Sequence, residues 1–188
     1  MLFGHKEDFA IEAMVEPDLI PPSSVWGRTR IWCEGTPLGD YSKEHCGLPS
    51  EHLEELYRDL PTLWHKGFEG MSDADIFRYL DASLYGYRDG GEIDDDRNLM
   101  QSVQDGPKLG SFIFLTNWEE MFDREGKAFI LCPDGKMVRI IVQSLDQLTY
   151  RSLTTSVVAV QMACESFSSW LKEESVRLST NNRAPTHT

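Results

Sequence analysis

The apolar positions of this chain repeat every two residues, then every three or four, then every two again, and end in one long helical stripe. Residues 9–16, FAIEAMVE, put Phe9, Ile11, Ala13 and Val15 on one side, the spacing of a half-buried strand. Residues 25–34, VWGRTRIWCE, alternate more loosely and are rich in β-forming side chains. GTPLGDY then predicts a tight turn at Gly35 and a short returning strand through Leu38. Pro21 and Pro22 suit a loop between the first two strands.

From PSEHLEELYRDL onward the repeat lengthens. Ser50 is placed to cap, Leu53, Leu56, Tyr57 and Leu60 share a face, and Pro61 interrupts. In MSDADIFRYLDASLYG, Ser72 and Asp75 have capping-box spacing, Ile76, Phe77, Leu80 and Leu84 make the stripe, and Gly86 is the stop. A weaker helix is expected from Asp96 to about Gln104. Strands return at SFIFLT (111–116), and KAFILC and KMVRIIVQ flank Pro133-Asp134-Gly135, a hairpin signal. Ser144 with Gln147 can cap another helix. From about Ser156, Val157, Val160, Cys164, Phe167 and Leu171 recur at helical spacing, giving a long amphipathic C-terminal helix. The order predicts one α+β domain over residues 1–178, a mostly antiparallel β-sheet packed with several helices, and a polar tail at 179–188.

Composition adds a folded core and a compartment. Five Trp, nine Phe and six Tyr among 188 residues exceed what a disordered chain carries. Cys33, Cys46, Cys132 and Cys164 show no paired spacing, and three of them sit inside apolar runs, as buried free thiols in a reducing compartment do. The N-terminus lacks a basic stretch followed by a long apolar one, so no signal peptide is expected. No apolar run approaches the roughly 20 residues of a membrane span. A cytoplasmic protein with no membrane partner is the expectation.

Charge changes the picture most. The net charge of −13 opposes binding to nucleic acid, whose phosphates need basic surface. Between Glu51 and Asp96 stand 13 acids against four basic residues, so a quarter of the chain carries −9 of the −13. The densest stretch is YRDGGEIDDDRNL, with Asp89, Glu92, Asp94, Asp95 and Asp96. Its consecutive acids do not fit the calcium loop of an EF-hand. Cys33, His45, Cys46 and His52 lack the knuckle spacing of a zinc site. No G-x-S-x-G, H-E-x-x-H or P-loop occurs, so no catalytic residue, metal or cofactor is assigned. Aromatics beside the acids, Tyr85 and Tyr87 after the second helix and Trp64 and Phe68 before it, have the composition of a protein interface.

The N-terminal block narrows the function. MLFGHKEDFAIEAMVE followed by RIWCEGTPLGDY resembles the opening of the Immunity protein 42 family of bacterial polymorphic toxin systems. The shared features are Phe3-Gly4, Phe9-Ala10-Ile11-Glu12, Ile31-Trp32, Gly35 and Leu38-Gly39-Asp40. The likeness continues through a helix ending in LDASLYG and a late strand before a C-terminal helix. It implies a cytoplasmic immunity protein, not an enzyme, which binds the C-terminal effector domain of a cognate toxin and neutralises it by occlusion. A nuclease effector has a basic groove that an acidic surface fits. Asp89, Glu92, Asp94, Asp95 and Asp96, with Glu69, Asp73, Asp75, Tyr85 and Tyr87, are therefore the expected toxin-facing residues. Gly4, Phe9, Ile11, Trp32 and Gly39 are expected to build the sheet and its turns, with Ile11 and Trp32 in the core. Two other classes compete: a small hydrolase or sugar-active enzyme with an acidic cleft, and a scaffold that self-associates through an exposed Val160, Cys164, Phe167 and Leu171.

Overall fold

A computed structural model describes residues 1–42, 46–88, 91–92, 106, 108–116, 118, 120–143 and 149–179, with backbone alone at 46, 50, 51, 87, 88, 91, 92 and 123–125. The α+β class holds, but the strands divide into two larger antiparallel sheets where a single one was expected. In the first, β2 (Phe9–Val15) pairs with both β1 (Leu2–Gly4) and β3 (Trp26–Cys33), and β3 also pairs with β4 (Thr36–Leu38) and β5 (Cys46–Gly47). Register puts Ile11 opposite Phe3 and Ile31, so one face carries the apolar set into the core. A two-residue ladder, β6 (Tyr87–Arg88) with β7 (Gly91–Glu92), stands apart. The second large sheet is a meander of β8 (Ile113–Phe114), β9 (Lys127–Leu131), β10 (Met137–Gln143) and β11 (Tyr150–Ser156). Its β9–β10 turn is the expected one, with the Asp134 carboxylate accepting from the backbone N–H of Lys136 at 2.9 Å and Met137 at 2.7 Å.

The helices follow their apolar stripes. α1 (Ser50–Asp59) buries Leu53 and Leu56, and Pro49 holds the capping position, so Ser50 begins the helix instead of capping it. α2 (Asp73–Tyr85) starts on the expected box: the Asp75 N–H donates to Ser72 Oγ, which donates to the Asp75 carboxylate at 2.6 Å. Gly86 closes it. α3 (Val157–Ser179) buries Val160, Cys164, Phe167 and Leu171 against the first sheet, with Phe3 in ring contact with Phe167 and Trp170. The stripe a self-associating scaffold would expose is therefore consumed within the monomer. The helices expected near 96–104 and 144–147, and the tail from 180, lie outside the described residues.

The two sheets meet where β3 passes β11. Cys33 Sγ donates to the Thr154 carbonyl at 3.7 Å, and Thr154 Oγ1 donates to Glu34 at 2.6 Å. Cys33, Cys132 and Cys164 are free and buried, and burial, aided by Glu34 and Asp8 at Cys33 and by Glu165 at Cys164, pushes Cys33 and Cys164 up to about 12. No described helix is long and apolar enough to cross a membrane.

Two of the three family-motif glycines are structural in a way the backbone makes explicit. Gly39 turns with φ +107, its missing side chain leaving room for Phe122. Gly4 has φ +95, and a Cβ there would lie 2.3 Å from the Phe9 carbonyl oxygen. Gly4→Ala is expected to lower stability by about 2 kcal/mol or more, from left-handed strain plus a clash with immovable backbone. A urea midpoint unchanged from the parent would show that β1 does not need this close approach.

Trp32 departs from expectation. With Ile31 and Cys33 pointing inward, the period of two turns Trp32 to the outer face of the first sheet, where it is half-buried. There its indole N–H donates to Glu12 at 2.8 Å, with Lys6 Nζ 4.1 Å and the Arg30 guanidinium 4.6 Å from the ring centroid. It braces a polar network and does not fill the core.

Candidate functional site: the acidic middle segment and its cleft

Two surfaces carry enough charge and aromatic area to meet a partner. The outer face of the first sheet is self-satisfied. Glu12 accepts from Arg30 at 2.8 Å and from Lys6 at 3.2 Å as well as from Trp32. Burial pushes the Glu12 carboxyl up, but these hydrogen bonds outweigh it and hold the group at about 2, below its ordinary 4.5. A folded-state value depressed in this way gives stability that is complete above 4.5 and lost as pH falls toward 2. Water still reaches both cations and screens the pairs, so the contribution is on the order of 2 kcal/mol. Urea midpoints measured down to about pH 2.5 should fall less for Glu12→Gln than for the parent. Parallel curves would mean the network adds nothing.

The acidic middle segment behaves differently, because the fold uses only some of its charge. Asp81 is buried and paired with Lys127. Asp73 sits at the start of α2 and holds Arg139 of β10 at 2.5 Å, with Ser152 of β11 donating to its other oxygen. Asp75 serves the α2 cap and pairs with Arg78 at 3.2 Å; its carboxyl is held below its ordinary value, first by the Ser72 hydroxyl. Glu54 pairs with Lys172 and Asp59 with Arg58. Glu55 and Glu69 are exposed, and their side chains make no hydrogen bond or ion pair among the described residues. Of the expected toxin-facing set, then, Glu69 is presented to solvent while Asp73 and Asp75 also fasten the fold. Tyr85 is half-buried: its ring packs near Phe129, Lys127 Nζ lies over it at 4.7 Å, and burial followed by the Asp81 charge pushes its hydroxyl up to about 12. Tyr87 and Glu92 are placed in β6 and β7 by backbone only; Asp89, Asp94, Asp95 and Asp96 lie outside the described residues.

Sequence reasoning passed over the concave part of this region. A cleft of about 340 Å³ opens between α1 and the chain around β8. His52, Glu55 and Asp59 line it from α1, spaced to share one helix face. Leu56, Leu63 and Ile113 supply apolar surface, and Trp118 closes the other side. The His52 ring stacks on Trp118 at 5.4 Å and 11°, and Trp118 in turn meets the buried Phe114 edge-on at 5.2 Å. The polar face of α1 was readable as HLEELYRD. That Trp118 would stand against it was not. Among the described residues no three His, Cys, Asp or Glu side chains are grouped to hold a metal ion, and His45 of the considered zinc set is not among them.

The described residues make this an α+β protein with exposed acids beside a cleft. The comparisons specify which kind. The Immunity protein 42 family model matches residues 1–174, and the chain belongs to that family: it is an immunity protein, one that neutralises a toxin. The fold is similar to the crystal structure of CdiI from Burkholderia dolosa AUO158, with a TM-score of 0.61 over 90% of this chain and 99% of that one. At 16% identity that likeness concerns the fold alone. No curated protein matches the sequence.

Proposed function

We propose that this immunity protein acts in the cytoplasm by binding the C-terminal effector domain of a polymorphic toxin and occluding its working surface, and that the acidic middle segment is the face it presents. The observation that carries this is the pairing of concentrated negative charge with concavity: Glu55 and Asp59 at a cleft, Glu69 exposed on the same segment, and the acids of 89–96 following α2 in sequence. A basic substrate groove, as in a nuclease, is complementary to such a face, and opposite charge speeds association where free toxin is lethal. Immunity proteins are in general not enzymes, and binding alone suffices for this role. A general acid needs a carboxyl held above its ordinary range. Glu12, Asp75 and Asp134, among the described residues, are displaced downward.

Co-expression with the effector domain of a large secreted protein encoded beside this gene tests the proposal. Growth rescue, a co-purified complex and association that slows with salt are expected. Rescue with salt-insensitive binding would remove the electrostatic part, and neither rescue nor complex would overturn that partner. Within the complex, replacing Asp94, Asp95 and Asp96 together by Lys should slow association by about tenfold or more while leaving thermal unfolding unchanged. An unaltered association rate would take this stretch out of the interface.

A further inference from the structure

We propose that the cleft between α1 and Trp118 receives an arginine side chain from the toxin, an inference that rests on the immunity function and specifies the chemistry of one contact within it. Three features of the cleft converge on a guanidinium. The first is negative charge that the fold neutralises only in part. Glu55 and Asp59 stand one turn apart on α1; the Glu55 side chain has no hydrogen-bond or ion-pair partner among the described residues, and Arg58, which pairs with Asp59 and whose charge also acts on Glu55, is two-thirds exposed, so water screens it. The second is a braced aromatic wall: Trp118 is fixed by His52 on one side and by buried Phe114 on another, so its position costs no ordering when a ligand arrives. The third is apolar surface, Leu56 and Leu63, each almost fully buried by its own fold and forming the inner lining.

Each class of side chain meets these features differently. An arginine lays its methylene stem on the leucines, sets its planar head against the aromatic wall and donates paired N–H groups to a carboxylate. Lysine offers one compact, strongly hydrated charge and no plane to stack. An apolar side chain would strip water from the carboxylates and give nothing back. An acidic one is repelled. The volume of about 340 Å³ accommodates a long side chain entering from an opposing surface. A basic effector groove supplies such arginines, and occupying the cleft with one removes a positive charge from the toxin's substrate path.

The test begins without the toxin. Blocked arginine (N-acetyl-arginine amide) is titrated into the isotopically labelled full chain, with blocked lysine and neutral blocked citrulline alongside. Saturable millimolar shifts of the Trp118 indole N–H and the His52 ring are expected with arginine, several-fold weaker with lysine and absent with citrulline. Glu55→Gln with Asp59→Asn should abolish them, and both changes are conservative on an exposed helix face. Equal response to citrulline, or no saturable shift at these two residues, would overturn the proposal. The same double variant is then measured against the co-encoded effector domain, where at least tenfold weaker binding is expected and unchanged affinity would overturn the cleft as a contact. If the unaltered protein fails to bind that effector, the partner is wrong, and the blocked-arginine titration still decides the cleft.

Discussion

Truncating Phe77 to alanine is expected to destabilise the protein by about 3–5 kcal/mol, one of the two largest effects anticipated here. Phe77 is fully buried, and its ring lies 4.9 Å from both Phe129 of β9 and Tyr150 of β11. It is the α2 side chain that packs against aromatic rings of two strands of the second sheet at once. Alanine removes the transfer energy of the ring and leaves a cavity that a helix pinned by Asp73 to Arg139 and by Asp81 to Lys127 cannot collapse to fill. Phe77→Leu, which keeps most of the volume, should cost about 1–1.5 kcal/mol. Urea unfolding with an unchanged slope reads both values. A loss below about 1 kcal/mol for the alanine variant would mean that α2 is not closely packed on the sheet.

Asp81→Ala should be of similar size for a different reason, about 3–5 kcal/mol. The Asp81 side chain is 3% exposed and that of Lys127 25%, and the ammonium lies over the Tyr85 ring. Removing the acid takes away the buried charge that offsets the desolvation of the Lys127 ammonium. Asp81→Leu combined with Lys127→Met should recover most of the stability, because a matched apolar pair carries no desolvation cost. Equal losses in the single and double variants would show that the ion pair contributes nothing. Asp81 also tests how the segment's charge is divided. Being buried, it should leave the toxin association rate of the folded variant unchanged, whereas charge reversal at 94–96 should slow it. If Asp81→Ala slowed association as much, the distinction between structural and presented acids would fail.

Much of the fold was legible because local pattern and burial agree. β2 and β3 announced themselves by period two, α2 by its capping box, stripe and terminal glycine, and the β9–β10 hairpin by Pro133-Asp134-Gly135. β1 did not, since three residues are too few to display alternation, and β11 did not, since YRSLTTS buries only Leu153 and Thr155. Trp32 was misplaced for a more instructive reason. Its size suggested core, but the period that buries Ile31 and Cys33 sends it outward, and the period prevailed because one face of a strand cannot serve two sides. The acidic segment was legible as charge. Which acids remain available was not, because pairing depends on cations far along the chain: Lys127 for Asp81, Arg139 for Asp73, Lys172 for Glu54.

By itself, the sequence determined the α+β class, the family membership carried by its first forty residues, the helical stripes and the concentration of negative charge between 51 and 96. These are set by neighbours within a few positions, where side-chain period, turn chemistry and composition act directly. Only the tertiary structure decided that the strands split into two sheets, that Glu54, Asp73 and Asp81 are spent on ion pairs with distant cations, and that Trp118 joins His52, Glu55 and Asp59 around one cleft. Those outcomes require residues from 46 to 121 positions apart to meet, and what brings them together is the burial of the apolar faces between them, a condition no local window of the chain contains.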